Sequence, residues 1–143
     1  MKLKVNGVVR PEIKEYLLSQ DGITNVDVNY DDFFIEINVE HDDKVTPVMV
    51  MKYIDLFCEY KYSRLVEFNK VTNKEVKILK YNVYDMCCEF CYMNLMQDLL
   101  ENDNIISAKS DYDLRRSAFN VNFTIEYINS SEEDIIKYIK EHI

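Results

Sequence analysis

Residues 119–126 read Phe-Asn-Val-Asn-Phe-Thr-Ile-Glu, an unbroken alternation of apolar and polar side chains. Successive side chains of a β-strand point to opposite faces, so this pattern predicts a strand with one buried and one solvent-facing side. Residues 35–40, Ile-Glu-Ile-Asn-Val-Glu, alternate in the same way. One such strand lies in each half of the chain, which indicates a structural unit that is used twice.

The duplication extends beyond these two strands. Residues 16–30 align with residues 98–112 at five identical positions, and Lys-Tyr-Ile occurs at 52–54 and again at 137–139. In each half a helical pattern with apolar residues four apart precedes the alternating strands, and capping residues open a second helix after them. Each half is therefore predicted to follow the order β-α-β-β-α.

The two halves are predicted to end differently. A predicted strand at about 60–68 would complete a βαββαβ unit in the first half, whereas the second half stops after its last helix. We therefore predict an α+β fold with an antiparallel sheet and two domains, residues 1–70 and 71–143. The second domain would lack a fourth strand, which leaves its first strand as an open edge.

The short polar linker at 69–74 suggests how that edge is covered. Two strands joined by so short a turn should pair as an antiparallel hairpin. The fourth strand of the first unit would then serve both halves, giving one continuous seven-stranded sheet with four helices in the order 2-3-1-4-1′-3′-2′. A dimer that pairs two open edges, or an exchange of strands between chains, is the alternative.

Composition limits the classes of function. The 143 residues are 48% hydrophobic with two Gly and two Pro, which favours a packed core. No stretch reaches the roughly 20 apolar residues of a membrane span and no signal peptide is evident, so we expect a soluble cytoplasmic protein without membrane insertion. The net charge of −9 argues against nucleic-acid binding and favours a protein partner with a basic docking face.

Three of the four cysteines, Cys87, Cys88 and Cys91, fall within five residues, where the first strand of the second unit should turn into a helix. In a reducing cytosol they are expected to be thiols. A helix N-terminus stabilises thiolates through its dipole and unpaired N–H groups, and thiolates bind soft metals. The two residues between Cys88 and Cys91 let both sulfurs approach one ion, so we predict these two as metal ligands.

This segment resembles the heavy-metal-associated domain of copper chaperones, copper-transporting P-type ATPases and mercury-binding proteins, whose motif is Gly-Met-Thr-Cys-x-x-Cys. Residues 85–91 read Asp-Met-Cys-Cys-Glu-Phe-Cys. The resemblance covers residues 76–143, and residues 1–68 as a degenerate copy without the thiols of the motif. It implies a ferredoxin-like fold in which Cys88 and Cys91 hold Cu(I), or else Zn, Cd or Hg, for a partner such as a metal-transporting ATPase. Met86 would be a core side chain.

Two further ligands are candidates. Cys87 is either a third thiolate or a small residue in the threonine position, and His142 either approaches the thiols from the last helix or is a solvated terminal side chain. In the first unit neither of two possible registers puts a soft ligand at the positions of the thiols. The positions that correspond to the thiols there are, according to the register chosen, Arg10 and Ile13 or Asn6 and Val9.

These patterns predict a non-enzymatic metallochaperone, sequestration or sensor module. One alternative is a protein-interaction module whose cysteines are reduced and idle, and another is a dithiol redox protein that works through a Cys88–Cys91 disulfide. The chain has no Gly-rich phosphate loop, and its two histidines offer no Ser/His/Asp set, so enzymatic activity is not expected.

Overall fold

The computed structural model describes residues 1–6, 10–31, 34–57, 64–84, 86, 89–112 and 120–143. These residues form four helices and seven strands. In chain order they are β1 (Lys2–Asn6), α1 (Ile13–Leu18), β2 (Ile23–Tyr30), β3 (Ile35–His41), α2 (Pro47–Phe57), β4 (Arg64–Asn69), β5 (Lys77–Tyr84), α3 (Glu89–Glu101), β6 (Ile105–Ser110), β7 (Asn120–Tyr127) and α4 (Glu132–Glu141). The predicted α+β class is confirmed.

The chain divides into two compact units, Met1–Lys70 and Val71–Ile143. The first is a βαββαβ unit whose strands lie in the ferredoxin-like order β2-β3-β1-β4, all antiparallel. Alternation decides its buried face: Leu3 stands between Ile37 and Phe68 in the register, and none of the three is more than 1% exposed. The core of this unit lies on that face of the sheet.

The second unit is βαββα, in which β7 pairs antiparallel with β5 on one side and with β6 on the other. The predicted alternation of buried and exposed side chains is found along β7, because Val121, Phe123 and Ile125 are at most 1% exposed. Asn120 and Asn122, which alternate with them, lie on the outer face. β5 takes the last position in the strand order of the described residues, so it is an edge strand, as predicted.

The predicted hairpin between the fourth strand of the first unit and β5 is wrong. Among the described residues β5 pairs with β7 only, so the order 2-3-1-4-1′-3′-2′ does not hold. The linker between β4 and β5 spans residues 70–76, and only two-residue turns fix a hairpin strongly. The hydrophobic pattern predicts which face of each strand is buried, but it does not predict which strands pair with each other.

Local chemistry sets the ends of the helices. The Ser131 hydroxyl accepts a hydrogen bond from the backbone N–H of Asp134 at 3.2 Å, which caps α4 as its Ser-Glu-Glu-Asp start predicts. The Thr46 hydroxyl accepts one from the Met49 N–H at 3.2 Å at the start of α2. After α1 the chain reverses through Gly22, whose φ of +93° is a conformation that favours glycine.

Candidate metal centre

The candidate site lies where β5 gives way to α3. β5 ends at Tyr84 and α3 begins at Glu89, so Cys91 falls in the first turn of a 13-residue helix and is half-buried. Cys87 and Cys88 lie outside the described residues, although in the chain Cys88 immediately precedes the helix. The geometry between the two sulfurs of the predicted pair therefore stays a prediction.

The first turn of α3 has an electrostatic character of its own. The N-terminal end of a helix dipole is positive, and Glu89 places an acidic side chain in this same first turn. Glu89 is half-buried, and the neighbouring Phe90 is 56% exposed. An aromatic ring thus lies at the surface between the two cysteine positions of the motif.

Met86 is the one residue between β5 and α3 that the structure describes, and it is buried with 1% of its surface exposed. A side chain this deep in the core contributes packing. Its burial agrees with the role that the motif resemblance implies, in which this methionine anchors the loop in the core and leaves metal binding to the cysteines.

Tyr92, directly after Cys91, fixes the start of α3. It is fully buried, and its hydroxyl lies 2.7 Å from the Ser110 hydroxyl on β6. Its ring stacks on Tyr112 at 4.2 Å and on Phe123 at 5.7 Å between centroids. Because Tyr92 is held by these contacts, the backbone that carries Cys91 is held as well.

Sequence reasoning did not identify Tyr92. Its helical spacing to the apolar residues Leu95, Met96 and Leu99 places it on the inner face of α3, and a buried tyrosine needs a partner for its hydroxyl. That spacing could have identified Tyr92 from the sequence as a buried residue. The partner of that hydroxyl could not be predicted from the sequence, since Ser110 lies 18 residues away at the end of β6.

His142 ends α4 and interacts with its own helix. Its Nδ1 donates to the Tyr138 carbonyl oxygen at 2.7 Å, and the two rings lie 4.1 Å apart between centroids. The carbonyl can only accept, so the proton of a neutral ring sits on Nδ1 and Nε2 remains as the lone-pair nitrogen. This is the arrangement in which metal-binding histidines are commonly held, but the side chain is exposed at the helix end.

The first unit fills its corresponding positions differently. Ile13 opens α1 and is fully buried, and the Arg10 guanidinium stacks over the Phe57 ring at 4.4 Å. A buried aliphatic group and a cation–π contact replace a soft-metal ligand here. Val9, from the other register, lies outside the described residues, and Asn6 ends β1.

Across the part of the chain that the structure describes, no group of three or more His, Cys, Asp or Glu side chains is arranged to hold a metal ion. Cys58, Cys87 and Cys88 lie outside that part of the chain. No helix among the described residues is both long and apolar enough to cross a membrane.

Comparison with known proteins gives distant matches. No protein-family model matches the chain. An N-acetyl-gamma-glutamyl-phosphate reductase from Prochlorococcus marinus (strain MIT 9312) is 36% identical over 64 residues, which are 43% of this chain and 18% of the reductase. The chain thus spans less than a fifth of that relative's length, and the match does not assign it to the reductase family.

Among solved structures, the N-terminal soluble domains of Bacillus subtilis CopA align over 99% of this chain and 88% of theirs. The sequence identity is 13% and the TM-score is 0.37. Similarity at this level is too low to indicate a shared fold or function. The heavy-metal-associated resemblance therefore rests on the motif at residues 85–91 and on the strand and helix order around it.

Proposed function

We propose that this protein binds a soft metal ion, with Cu(I) as the first candidate, through Cys88 and Cys91. It acts as a metallochaperone, sequestration or sensor module in the cytoplasm. The observation that carries the proposal is the position of Cys91 in the first turn of α3, with Met86, three residues before that helix, buried. The motif spacing places Cys88 three residues earlier, immediately before that helix.

Two thiolates at a helix N-terminus favour soft ions over hard ones. Thiolate sulfur selects Cu(I), Zn and related metals as a class, and the positive helix end lowers the cost of two neighbouring negative charges. Cu(I) is satisfied by few ligands, whereas a closed zinc site requires four. With two cysteines in the motif, Cu(I) fits better than structural zinc.

The ion would be cargo for a protein partner, for which a metal-transporting ATPase is the first candidate. The chain carries a net charge of −9, and Glu89 adds a negative charge in the same helical turn as Cys91. A partner with a basic docking face complements this surface, and electrostatic steering predicts that association slows as salt is added. An association rate that is insensitive to salt would contradict this docking mode.

Anaerobic Cu(I) titration of the reduced protein against a chromophoric chelator tests the proposal. Cys88→Ser and Cys91→Ser should each lower the affinity by more than about a hundredfold, because a soft two-ligand site loses one of its two bonds. Cys58→Ser, outside the cysteine cluster, is the matched control and should leave the affinity unchanged.

Equal affinities of all these proteins would refute Cys88 and Cys91 as the ligands. A protein without tight Cu(I) binding would favour the interaction module with idle thiols. A Cys88–Cys91 disulfide whose reduction potential lies near that of cytosolic thiol pools, in a protein without Cu(I) affinity, would favour the redox alternative.

The same titration decides the two further candidate ligands. If Cys87 is a third thiolate, Cys87→Ser weakens Cu(I) binding, whereas a residue that only fills the threonine position tolerates the change. If His142 closes the site, His142→Ala weakens binding or changes its dependence on pH between about 5 and 7, because only a neutral imidazole ligates.

A further inference from the structure

β5 has an edge along which no strand of the described residues pairs. It is eight residues long, pairs with β7 along its other side, and occupies the end of the strand order. In an antiparallel ladder every second residue of an edge strand directs its N–H and C=O groups away from its neighbour. Such an edge is a template for another strand, and natural proteins usually shorten or cover it.

Apolar side chains occur on the outer face of this edge strand. Leu79 and Val83 point to the core and are 2% exposed, so Ile78, Lys80, Asn82 and Tyr84 lie on the opposite face. Ile78 is 62% exposed and Tyr84 is 67% exposed. Two large apolar groups at the two ends of one open strand suit a partner strand that brings apolar groups to the same places.

We infer that β5 pairs antiparallel with β5 of a second copy of this chain, with Tyr81 on the two-fold axis. A two-fold axis normal to the sheet keeps each residue on its own face, so the residue on the axis faces itself. With Tyr81 on the axis, Ile78 stands opposite Tyr84 of the second copy, and Leu79 stands opposite Val83. Each exposed apolar residue thereby gains an apolar partner.

The charges select the same register. With Lys80 on the axis, two ammonium groups would face each other, which is destabilising in a sheet. With Tyr81 on the axis, Lys80 stands opposite Asn82 of the second copy. The Asn82 amide donates to the side-chain oxygens of Asn120 and Asn122, and its own Oδ1 is buried and accepts no hydrogen bond within the described residues. The pairing therefore brings the Lys80 ammonium group next to Asn82, whose side-chain oxygen accepts no hydrogen bond within the described residues.

Such a dimer should be weak and independent of metal. A single pair of strands buries less surface than a standard interface, so association should be visible over total concentrations from about 5 μM to about 500 μM. Sedimentation velocity of the full chain, reduced and with a chelator present, should show a monomer that converts to a dimer across this range. Hydrogen exchange of the 77–84 amides should slow over the same range.

Substitutions on the outer face test the register. Ile78→Lys and Tyr84→Glu should each weaken the dimer by roughly tenfold, since each removes both copies of one cross-strand pair. An equimolar mixture of the two variants should associate more tightly than either alone, because the introduced ammonium group then faces the introduced carboxylate and the other Ile78–Tyr84 pair stays intact. Leu56→Lys on α2, where Leu56 is 76% exposed, is the matched control and should dimerise like the unmodified chain.

Several results would overturn the inference. These are a monomer at all concentrations, a dimer that neither variant weakens, a mixture no tighter than its components, or protection that maps outside 77–84. Both variants change exposed side chains, and an unchanged thermal transition of the dilute monomer would verify that they fold.

Discussion

Met86 offers a direct test of how the candidate metal loop is built. Its side chain is 1% exposed, so truncation to alanine removes three buried heavy atoms and leaves a cavity. Substitutions of this kind cost about 2–5 kcal/mol in the free energy of unfolding. Met86→Leu keeps the volume and should cost less than about 1.5 kcal/mol. If Met86 contributes only packing, a substitution that preserves the stability of the protein should also preserve its Cu(I) affinity, even though the sulfur atom is lost.

The measurement pairs two assays on the same proteins. Thermal unfolding of the metal-free protein should show Met86→Ala melting at least about 8 °C lower, given about 4–8 °C per kcal/mol for a unit of this size. Anaerobic chelator competition should give Met86→Leu a Cu(I) affinity within about threefold of the unmodified protein, a difference of less than about 1 kcal/mol.

The opposite result would be equally clear. A Met86→Leu protein that keeps its melting temperature but loses more than about tenfold in Cu(I) affinity would make Met86 a thioether ligand. The packing role would then be wrong, and the site would hold three sulfur ligands.

Two further outcomes follow from contacts within single units. Tyr138 donates from its hydroxyl to the Asp98 carbonyl oxygen at 2.6 Å, so Tyr138→Phe should cost about 1 kcal/mol in urea unfolding. Burial, and then the nearby carboxylates of Asp98 and Glu101, raise the pKa of Tyr138, so its contribution to stability is complete below about pH 10 and is lost as the pH rises further; the phenylalanine protein should lack this alkaline loss. Gly22→Ala should destabilise the first unit by about 1–3 kcal/mol in thermal unfolding, because φ is +93° and a Cβ would lie 2.7 Å from Val45 Cγ2; an unchanged melting temperature would contradict this strain.

Much of the fold could be predicted because local pattern and burial agree. Phe123 and Ile125 alternate with polar residues. The strand that contains them lies where this alternation predicts it, and both side chains are buried. The Ser131 cap was readable because its hydroxyl acts within three residues. The strand that pairs with β5 could not be predicted from the sequence. Alternation specifies which face of a strand is buried, while strand order depends on contacts between residues distant in sequence.

The same distinction between local pattern and distant contacts applies to the candidate site. The position of Cys91 at the start of α3 and the burial of Met86 follow from the strand-to-helix pattern and from the motif. The contact between His142 and the Tyr138 carbonyl depends on how the last turn of α4 ends, which residue types alone do not determine. The ligand roles of Cys87, Cys88 and His142 remain predictions for the titrations to decide.

The aromatic stack beside the candidate site has a practical consequence for spectroscopy. The chain has 11 tyrosines and no tryptophan, so its near-ultraviolet optical activity comes chiefly from tyrosine. Tyr92 and Tyr112 lie face to face at 4.2 Å in the second unit, whereas the described stack of the first unit joins Tyr16 to Phe57. Two like chromophores at that distance couple their excited states. Circular dichroism in the tyrosine absorption band, weighted toward the second unit, therefore provides a label-free optical readout of order next to Cys91.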